Sequence, residues 1–252
     1  MRAVSVGAQG TAMELSRQFT GVRFAVSTPR QPAGAVATVP DERMLVIATP
    51  GAEPRVLGAG YRVTVILDAY ESQFRQGLDA RVDTLVDWMG AAAMTVPKDR
   101  GGQVLLVGDC DPDIAGALVD WDPRPLAAQE LRERAEAALP PAVAAASVWG
   151  RQDAVMRALA DIHAFDGDFA TIDTVEGPMP SVLGPIEIPP DPIAVRGARE
   201  LEGTNDRVRA IMRVPRGERD ELARRLRVAV TRHWTAREPG ELHFRMDPKD
   251  LY

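Results

Sequence analysis

Two apolar runs in the first half of the chain, Met44-Leu-Val-Ile-Ala48 and Tyr61-Arg-Val-Thr-Val-Ile-Leu67, flank a loop of Gly and Pro. Each is short, β-branched and nearly continuous in its hydrophobicity. That is the pattern of a strand covered on both faces by helices, so a buried parallel sheet is expected. Ahead of them, Ala3-Val-Ser-Val6 reads as a short strand and Gly7 to Thr11 as a glycine turn. A helix follows, with Met13, Leu15 and Phe19 on its buried side and a stop at Gly21, and Val22-Arg-Phe-Ala-Val26 alternates as the next strand. Strand, turn, helix and strand make a βαβ unit. Residues 27–42 have no period and read as a long surface loop. Beyond the second central run the pattern predicts a loop from Asp68 to Gly77 and a helix from Leu78 to Met94 with Val82, Leu85, Val86 and Met89 inward. A strand from Gln103 to Gly108 and a short helix from Ile114 to Val119 complete this part.

The texture changes at Pro123, where a charged, alanine-rich helix runs to about Ala138 and stops at Pro140-Pro141. After it come a strand (Ala142 to Trp149), a helix (Gln152 to Ile162), an acidic loop, a strand (Val182 to Ile188), a Pro-rich turn, a strand (Arg207 to Val214), a helix (Glu218 to His233) and a strand (Glu241 to Met246). Two helices over a small mixed sheet make an α+β sandwich. The expected division is therefore an α/β domain over 1–121 and an α+β domain over 122–252.

Composition narrows the chemistry. At 252 residues and 45% hydrophobic the chain can build real cores. It has no apolar run of membrane-spanning length and no signal-like start, which points to a cytoplasmic protein. One cysteine, Cys110, and three scattered histidines, His163, His233 and His243, give neither an internal disulfide nor a closed zinc site. Nor do they suggest a catalytic triad. Asp109, Asp111 and Asp113 alternate after a strand end, but Pro112 interrupts them and a turn with a helix cap explains them more simply; Asp166 and Asp168 around Gly167 read as a turn. Gly7 to Gly10 enters a helix without a G-x-G-x-x-G or a Walker lysine. In open α/β sheets ligands sit outside the carboxyl ends of strands, so the loop Thr49 to Gly60 occupies the functional position, and an unrelated small-nucleotide module using these two glycine segments is one alternative.

Charge is uneven. The net −6 conceals residues 196–237, which hold 12 arginines, no lysine and 6 acids, net +6. On the helix from Glu218 the apolar positions Leu222, Leu226, Ala229, Val230 and His233 fall on one side, leaving Arg224, Arg225, Arg227 and Arg232 outside it as solvated groups. Together with Arg196, Arg199, Arg207 and Arg209 they form a candidate phosphate-tracking surface.

Several stretches, in order, resemble the C-terminal part of the primosomal protein N′ (PriA replication-restart helicase) family. Val6-Gly-Ala-Gln-Gly-Thr11 through Gln18-Phe19-Thr-Gly-Val22 looks like the opening of that family's second helicase lobe, and Ile47-Ala-Thr49 and Leu67-Asp68-Ala69 look like two of its strand ends. Ala138-Leu-Pro-Pro141, Leu183-Gly-Pro185 and Phe244-Arg-Met-Asp-Pro248 look like its Tyr-Pro-Pro, Leu-Gly-Pro and Asp-Val-Asp-Pro signatures. The resemblance implies a RecA-like (P-loop-fold) second helicase lobe with a parallel sheet, followed by the family's smaller α+β C-terminal domain.

The departures bear on activity. Where helicase-active relatives continue Gly-Thr with a Lys-Gly-x-Asp-Phe type loop, this chain has Thr49-Pro-Gly51-Ala-Glu and no lysine. Where they carry the arginines of Gln-x-x-Gly-Arg-x-Gly-Arg, it has Ala93 and Val96. Neutral side chains cannot stabilise charge on a transferring phosphoryl group. The chain is similar to the actinobacterial branch, which looks like a helicase-inactive version; Phe74 to Arg81 and Trp88-Met89 also fit that branch. The family's N-terminal DNA-binding part, first lobe and zinc region have no counterpart, so a fragment is expected, with a truncated gene, a misassigned start or a short protein behind it. Zinc and ATP belong to those missing regions, and no cofactor is expected here. The resemblance implies binding to forked or single-stranded DNA, partnership with single-stranded DNA-binding protein and other primosome proteins, and a nucleoid-associated location. A helicase subunit completed by a separate first lobe is the enzymatic alternative.

Overall fold

Burial follows the apolar runs, but on fewer faces than their continuity predicts. The computed structural model describes residues 7–29, 34–67, 69–70, 75–189, 206–249 and 251, and the strand expected at 3–6 lies outside them. The chain divides into two compact units, Met1–Leu126 and Ala127–Tyr252. The division falls beyond the sequence boundary at Trp121 because Leu126, 2% exposed, belongs to the first core.

In the first unit, α1 (Ala8–Gln18) precedes β1 (Arg23–Ser27), β2 (Thr38–Pro40), β3 (Met44–Ala48), β4 (Arg55–Leu57) and β5 (Val63–Ile66). Helix α2 (Ala80–Ala93), β6 (Gln103–Leu106) and α3 (Pro112–Val119) follow. The strands pair in parallel as β1–β3, β2–β4 and β5–β6. Ile66, Leu85, Trp88, Ala92, Ile114 and Leu118 build the core. Three expectations need correction. Helix α1 buries no residue, and Met13 and Phe19 are exposed rather than inward. On α2, Thr84, Leu85, Trp88 and Ala92 are buried while Val86 points out. The β5–β6 pair is covered on one side only: Ile66 packs inward, whereas Val63, Val65, Leu67, Leu105 and Val107 are exposed among the described residues. The loop read over 27–42 contains β2, which pairs with β4 inside the Thr49 to Gly60 loop.

Helix α4 (Arg124–Glu136) leads into the second unit. There the chain runs β7 (Ala144–Arg151), α5 (Gln152–Asp161), β8 (Thr171–Thr174), β9 (Gly177–Pro180), β10 (Val182–Glu187), β11 (Arg207–Val214), α6 (Arg219–Thr235) and β12 (Leu242–Met246). The order β10-β11-β7-β12 is antiparallel throughout, not mixed, because each of the three pairings runs in opposite directions. The acidic loop read between α5 and β10 contains a hairpin, β8–β9. One face of the sheet, with Ala144, Ala146, Val148, Val208, Ala210, Met212, Val214 and Leu242, packs under α5 and α6 through Val155, Leu159, Leu222, Leu226 and Ala229. Full burial of Leu222 and Leu226 contributes about 1.5–3 kcal/mol each. Strand residues of the other parity face away, and that face is closed at one end only. Arg213, 2% exposed, donates through Nη1 to the carbonyls of Ala137 (3.1 Å) and Ala138 (3.2 Å) and through Nη2 to that of Pro180 (2.8 Å).

Candidate nucleic-acid interface

Helix α6 begins with Asp220 and Glu221 in its first turn and ends with Arg232 and His233 in its last, the charge order that the helix dipole favours. Leu222, Leu226, Ala229 and His233 are its buried side. His233 donates through Nε2 to the Gly240 carbonyl at 2.9 Å and places Nδ1 3.3 Å from Glu238, a structural arrangement. The arginines on the outer side are not equally free. Arg224 holds Glu221 at 2.6 and 2.7 Å, and Arg232 donates to Asp161 of α5 at 3.0 Å. Arg225 is not a solvated group, contrary to the sequence expectation. Its side chain is 23% exposed, lies over the Phe169 ring at 4.4 Å, donates to the Ile162 carbonyl at 3.3 Å, and pairs with Glu221 (2.8 Å) and Asp168 (3.5 Å). Hydrogen bonds from Arg224 and then Arg225 lower the Glu221 carboxyl from 4.5 to about 2. Arg227 is exposed and has no ion pair or hydrogen bond among the described residues.

The remaining candidates separate. Arg196 and Arg199 lie outside the described residues. Arg207, 13% exposed, is paired with Glu241 and donates to the Pro189 carbonyl at 2.8 Å. Arg209 sits opposite Trp149 in the β11–β7 register, on the sheet face away from α6, and its Nε is buried without a hydrogen-bond partner. Arg227 and Arg209 are thus the two described candidates with uncommitted guanidinium groups, and they lie on opposite layers of the second unit.

Sequence reasoning missed a cluster beside Arg209. Trp149 of β7 stacks on His243 of β12, with ring centroids 5.6 Å apart and 29° between planes; Trp234, at the end of α6, lies 5.9 Å from His243 and donates through Nε1 to the Leu242 carbonyl at 3.2 Å. Arg245, two residues beyond His243 on the same strand face, is exposed and has no ion pair or hydrogen bond among the described residues. The signal was the alternation His243-Phe-Arg245-Met, opposite Trp149 in an otherwise alanine-rich strand.

In the first unit, the loop after β3 closes on itself. Thr49 accepts from the Ala52 N–H at 2.9 Å, and Gly51 takes φ +78°, which a side chain would strain. The buried Ser27 hydroxyl donates to the Ala52 carbonyl at 2.6 Å, and Tyr61 OH donates to that of Pro54 at 2.6 Å. The Thr49 hydroxyl is buried without a hydrogen-bond partner among the described residues. Ala93 is exposed at the end of α2, while Val96 is 4% exposed under Gly60 and Gly102. Asp111 caps α3 by accepting from the Asp113 N–H at 2.8 Å, and both carboxylates meet Arg81, at 2.9 and 3.0 Å. Among the described residues, no group of three or more His, Cys, Asp or Glu could hold a metal ion, and no helix is long and apolar enough to cross a membrane.

An antiparallel four-stranded sheet under two helices, with basic and aromatic residues on its outer surfaces, defines an α+β domain. Its sequence says which one: residues 135–249 match the profile of the Primosomal protein N C-terminal domain. The chain is 36% identical over 235 residues to proteins named "Probable replication restart protein PriA" from Mycobacterium tuberculosis and Mycobacterium bovis. That match covers 91% of this chain and 33% of each relative. The Mycobacterium leprae protein of the same name is 36% identical over 233 residues, 91% of this chain and 32% of the relative. Residues 135–249 thus match the C-terminal domain of the primosomal protein N′ family, and the chain, similar over 91% of its length to these relatives, spans about a third of the length of the curated relatives it matches.

Proposed function

We propose that this chain is a degenerate primosomal protein N′ that acts in replication restart as a DNA-binding scaffold rather than as a helicase. The observation that carries this reading is the identity over 91% of the chain to relatives whose name is replication restart protein. Residues 1–126 are then the counterpart of a RecA-like second lobe, from which the catalytic side chains are missing. The Thr49 loop has no lysine, and Ala93 and Val96 stand where arginines would stabilise a transferring phosphoryl group. In this reading no ATP or zinc is bound by the residues present. The partners are forked or single-stranded DNA, single-stranded DNA-binding protein and other primosome proteins, in the nucleoid-bearing cytoplasm.

DNA contact is assigned to the outer side of α6, where Arg227 offers an uncompensated guanidinium beside the paired Arg224 and Arg232. Phosphate contacts position a protein without reading bases, so binding should not discriminate sequence. Fluorescence anisotropy with a labelled fork across a salt series tests this. Arg227→Gln should weaken binding and flatten the log–log salt slope by about 0.9, one phosphate contact. An unchanged affinity and slope would remove α6 from the interface. A DNA-stimulated ATP turnover of about one per second or more, abolished by a change within 49–60, would overturn the scaffold reading.

A further inference from the structure

The half of the sheet face left open by Arg213 and its partners carries aromatic rings together with two arginines that have no ion pair or hydrogen bond among the described residues. Along β7 and β11 the outward positions change abruptly. At one end Ser147 and Ile211 are each 4% exposed, and Arg213 is tied to carbonyls. One register step on, Trp149 stands between Arg209 of β11 and His243 of β12, its cross-strand neighbours. His243 is exposed and Trp234 is 50% exposed, so the three rings form a row that reaches the surface at the β12 edge. Trp149 itself is half-buried, so the row runs from a partly covered ring at the sheet to exposed rings at the edge.

The charges around the row are one-sided. The nearby carboxylates are already engaged: Glu241 with Arg207, Asp153 with Arg151 and Arg157, and Glu238 with Arg157. Arg209 and Arg245 flank the rings without an ion pair or hydrogen bond among the described residues. Rings that offer π-faces, with guanidinium groups to either side, match a ligand that alternates flat bases with phosphates. A duplex hides its bases in the stack and does not fit this surface. A strand with free bases does.

We infer that Trp149, His243 and Trp234 form a stacking platform for unpaired bases of single-stranded nucleic acid, with Arg209 and Arg245 holding the adjoining phosphates. This adds a second contact surface to the α6 surface and stands or falls separately from it. Arginine beside the rings also stacks on bases, which makes the site tolerant of sequence.

The test is fluorescence anisotropy of the full chain with labelled oligothymidylate and oligouridylate of about twelve nucleotides, within the range one such surface covers, and with a duplex of the same length. Trp149→Leu should weaken single-strand binding by about tenfold while leaving duplex affinity unchanged. Trp149→Phe, which keeps a ring, should retain most of it. The exposed His243→Leu, which carries little folding risk, should weaken the single strands in the same direction. Arg209→Gln with Arg245→Gln should flatten the single-strand salt slope by about 0.7 per contact. Binding of the wild type to single strands should quench tryptophan emission. Equal affinity of thymidylate and uridylate would assign the site to features the two share, and a preference for one would add a contact to the 2′-hydroxyl or to the thymine methyl; both outcomes support the platform. Unchanged single-strand affinity in Trp149→Leu and His243→Leu, or no emission change at saturation, would overturn it. A concentration-dependent dimer in sedimentation that Trp149→Leu converts to monomer would assign the face to self-association instead. Loss of duplex binding in Arg227→Gln with single-strand binding intact would touch only the α6 surface.

Discussion

Arg225 and Arg227 are two positions apart on one helix and do different work. Arg225 packs on Phe169 and joins α6 to the Ile162 carbonyl at the end of α5, so its charge is held by the fold, whereas Arg227 meets solvent. Arg225→Gln should lower stability by about 1 kcal/mol or somewhat more, from a lost cation–π contact and lost hydrogen bonds. Arg227→Gln should stay within about 0.5 kcal/mol. Urea unfolding of the two variants measures the difference. A fourfold change of Arg224, Arg225, Arg227 and Arg232 would therefore mix a stability loss with a binding loss. Glu221 provides a second test at this scale. Its carboxyl is lowered to about 2 by Arg224 and Arg225, so its stabilising contribution is present above the ordinary carboxylate range and is lost as pH falls toward 2. In Arg224→Gln/Arg225→Gln the Glu221 titration should return toward 4.5, and this pH-dependent contribution should be absent at every pH; carboxylate NMR titration follows it directly.

At the scale of elements, β7 is the strand on which the second unit depends. It pairs with both β11 and β12, its inner side is buried under α5 and α6, and its outer side presents Trp149. Gly150 has φ +147°, and a Cβ there would come 2.0 Å from the Glu241 carbonyl oxygen. No rotamer relieves a clash between backbone atoms. Gly150→Ala should therefore cost about 3 kcal/mol or more, by strain and by displacement of β12, and should disturb the His243 stack as well. Urea unfolding reports the first effect and tryptophan emission the second. Leu226→Ala, at 0% exposure between helix and sheet, should cost about 2–5 kcal/mol through the cavity it leaves while sparing the outer face.

For the whole molecule, the two hydrophobic clusters share no residue, one lying within the first unit and the other within the second. Two separable unfolding transitions are expected, and a single unfolding free energy would not describe the chain. Residues 127–252 produced alone should fold cooperatively, and Leu226→Ala should shift that transition and leave the other in place. Calorimetry of the full chain and of this unit makes the comparison. The net charge of −6 bears on the proposed DNA contact at the same scale: the acidic remainder of the chain opposes the +6 of residues 196–237, so the proposed binding should fall steeply between low and physiological salt.

The sequence by itself determined most of the elements, because periodicity reports the faces an element has to bury. The strand read over Arg207 to Val214 and the Leu222, Leu226, Ala229 and His233 stripe are seen in β11 and α6. The motif order from Gly7 to Pro248 indicated the family whose C-terminal domain residues 135–249 match. Other features were outside its reach. The short β2, β4, β8 and β9 have no period long enough to read; β2 forms where β4, farther along the chain, supplies a partner, and β8 and β9 pair with each other in a hairpin. Continuous apolarity in Val63 to Leu67 promised two covered faces, but which neighbours arrive is a matter of packing, and here one face stays open. Charge counts could not say which arginines are free. Arg224, Arg225 and Arg232 are neutralised by acids that only the folded helix, or α5 and the Asp168 loop, bring within reach, while Arg209 and Arg227 have none among the described residues. Trp149 is far from Trp234 and His243 in the chain, and strand register with the end of α6 made the three one surface.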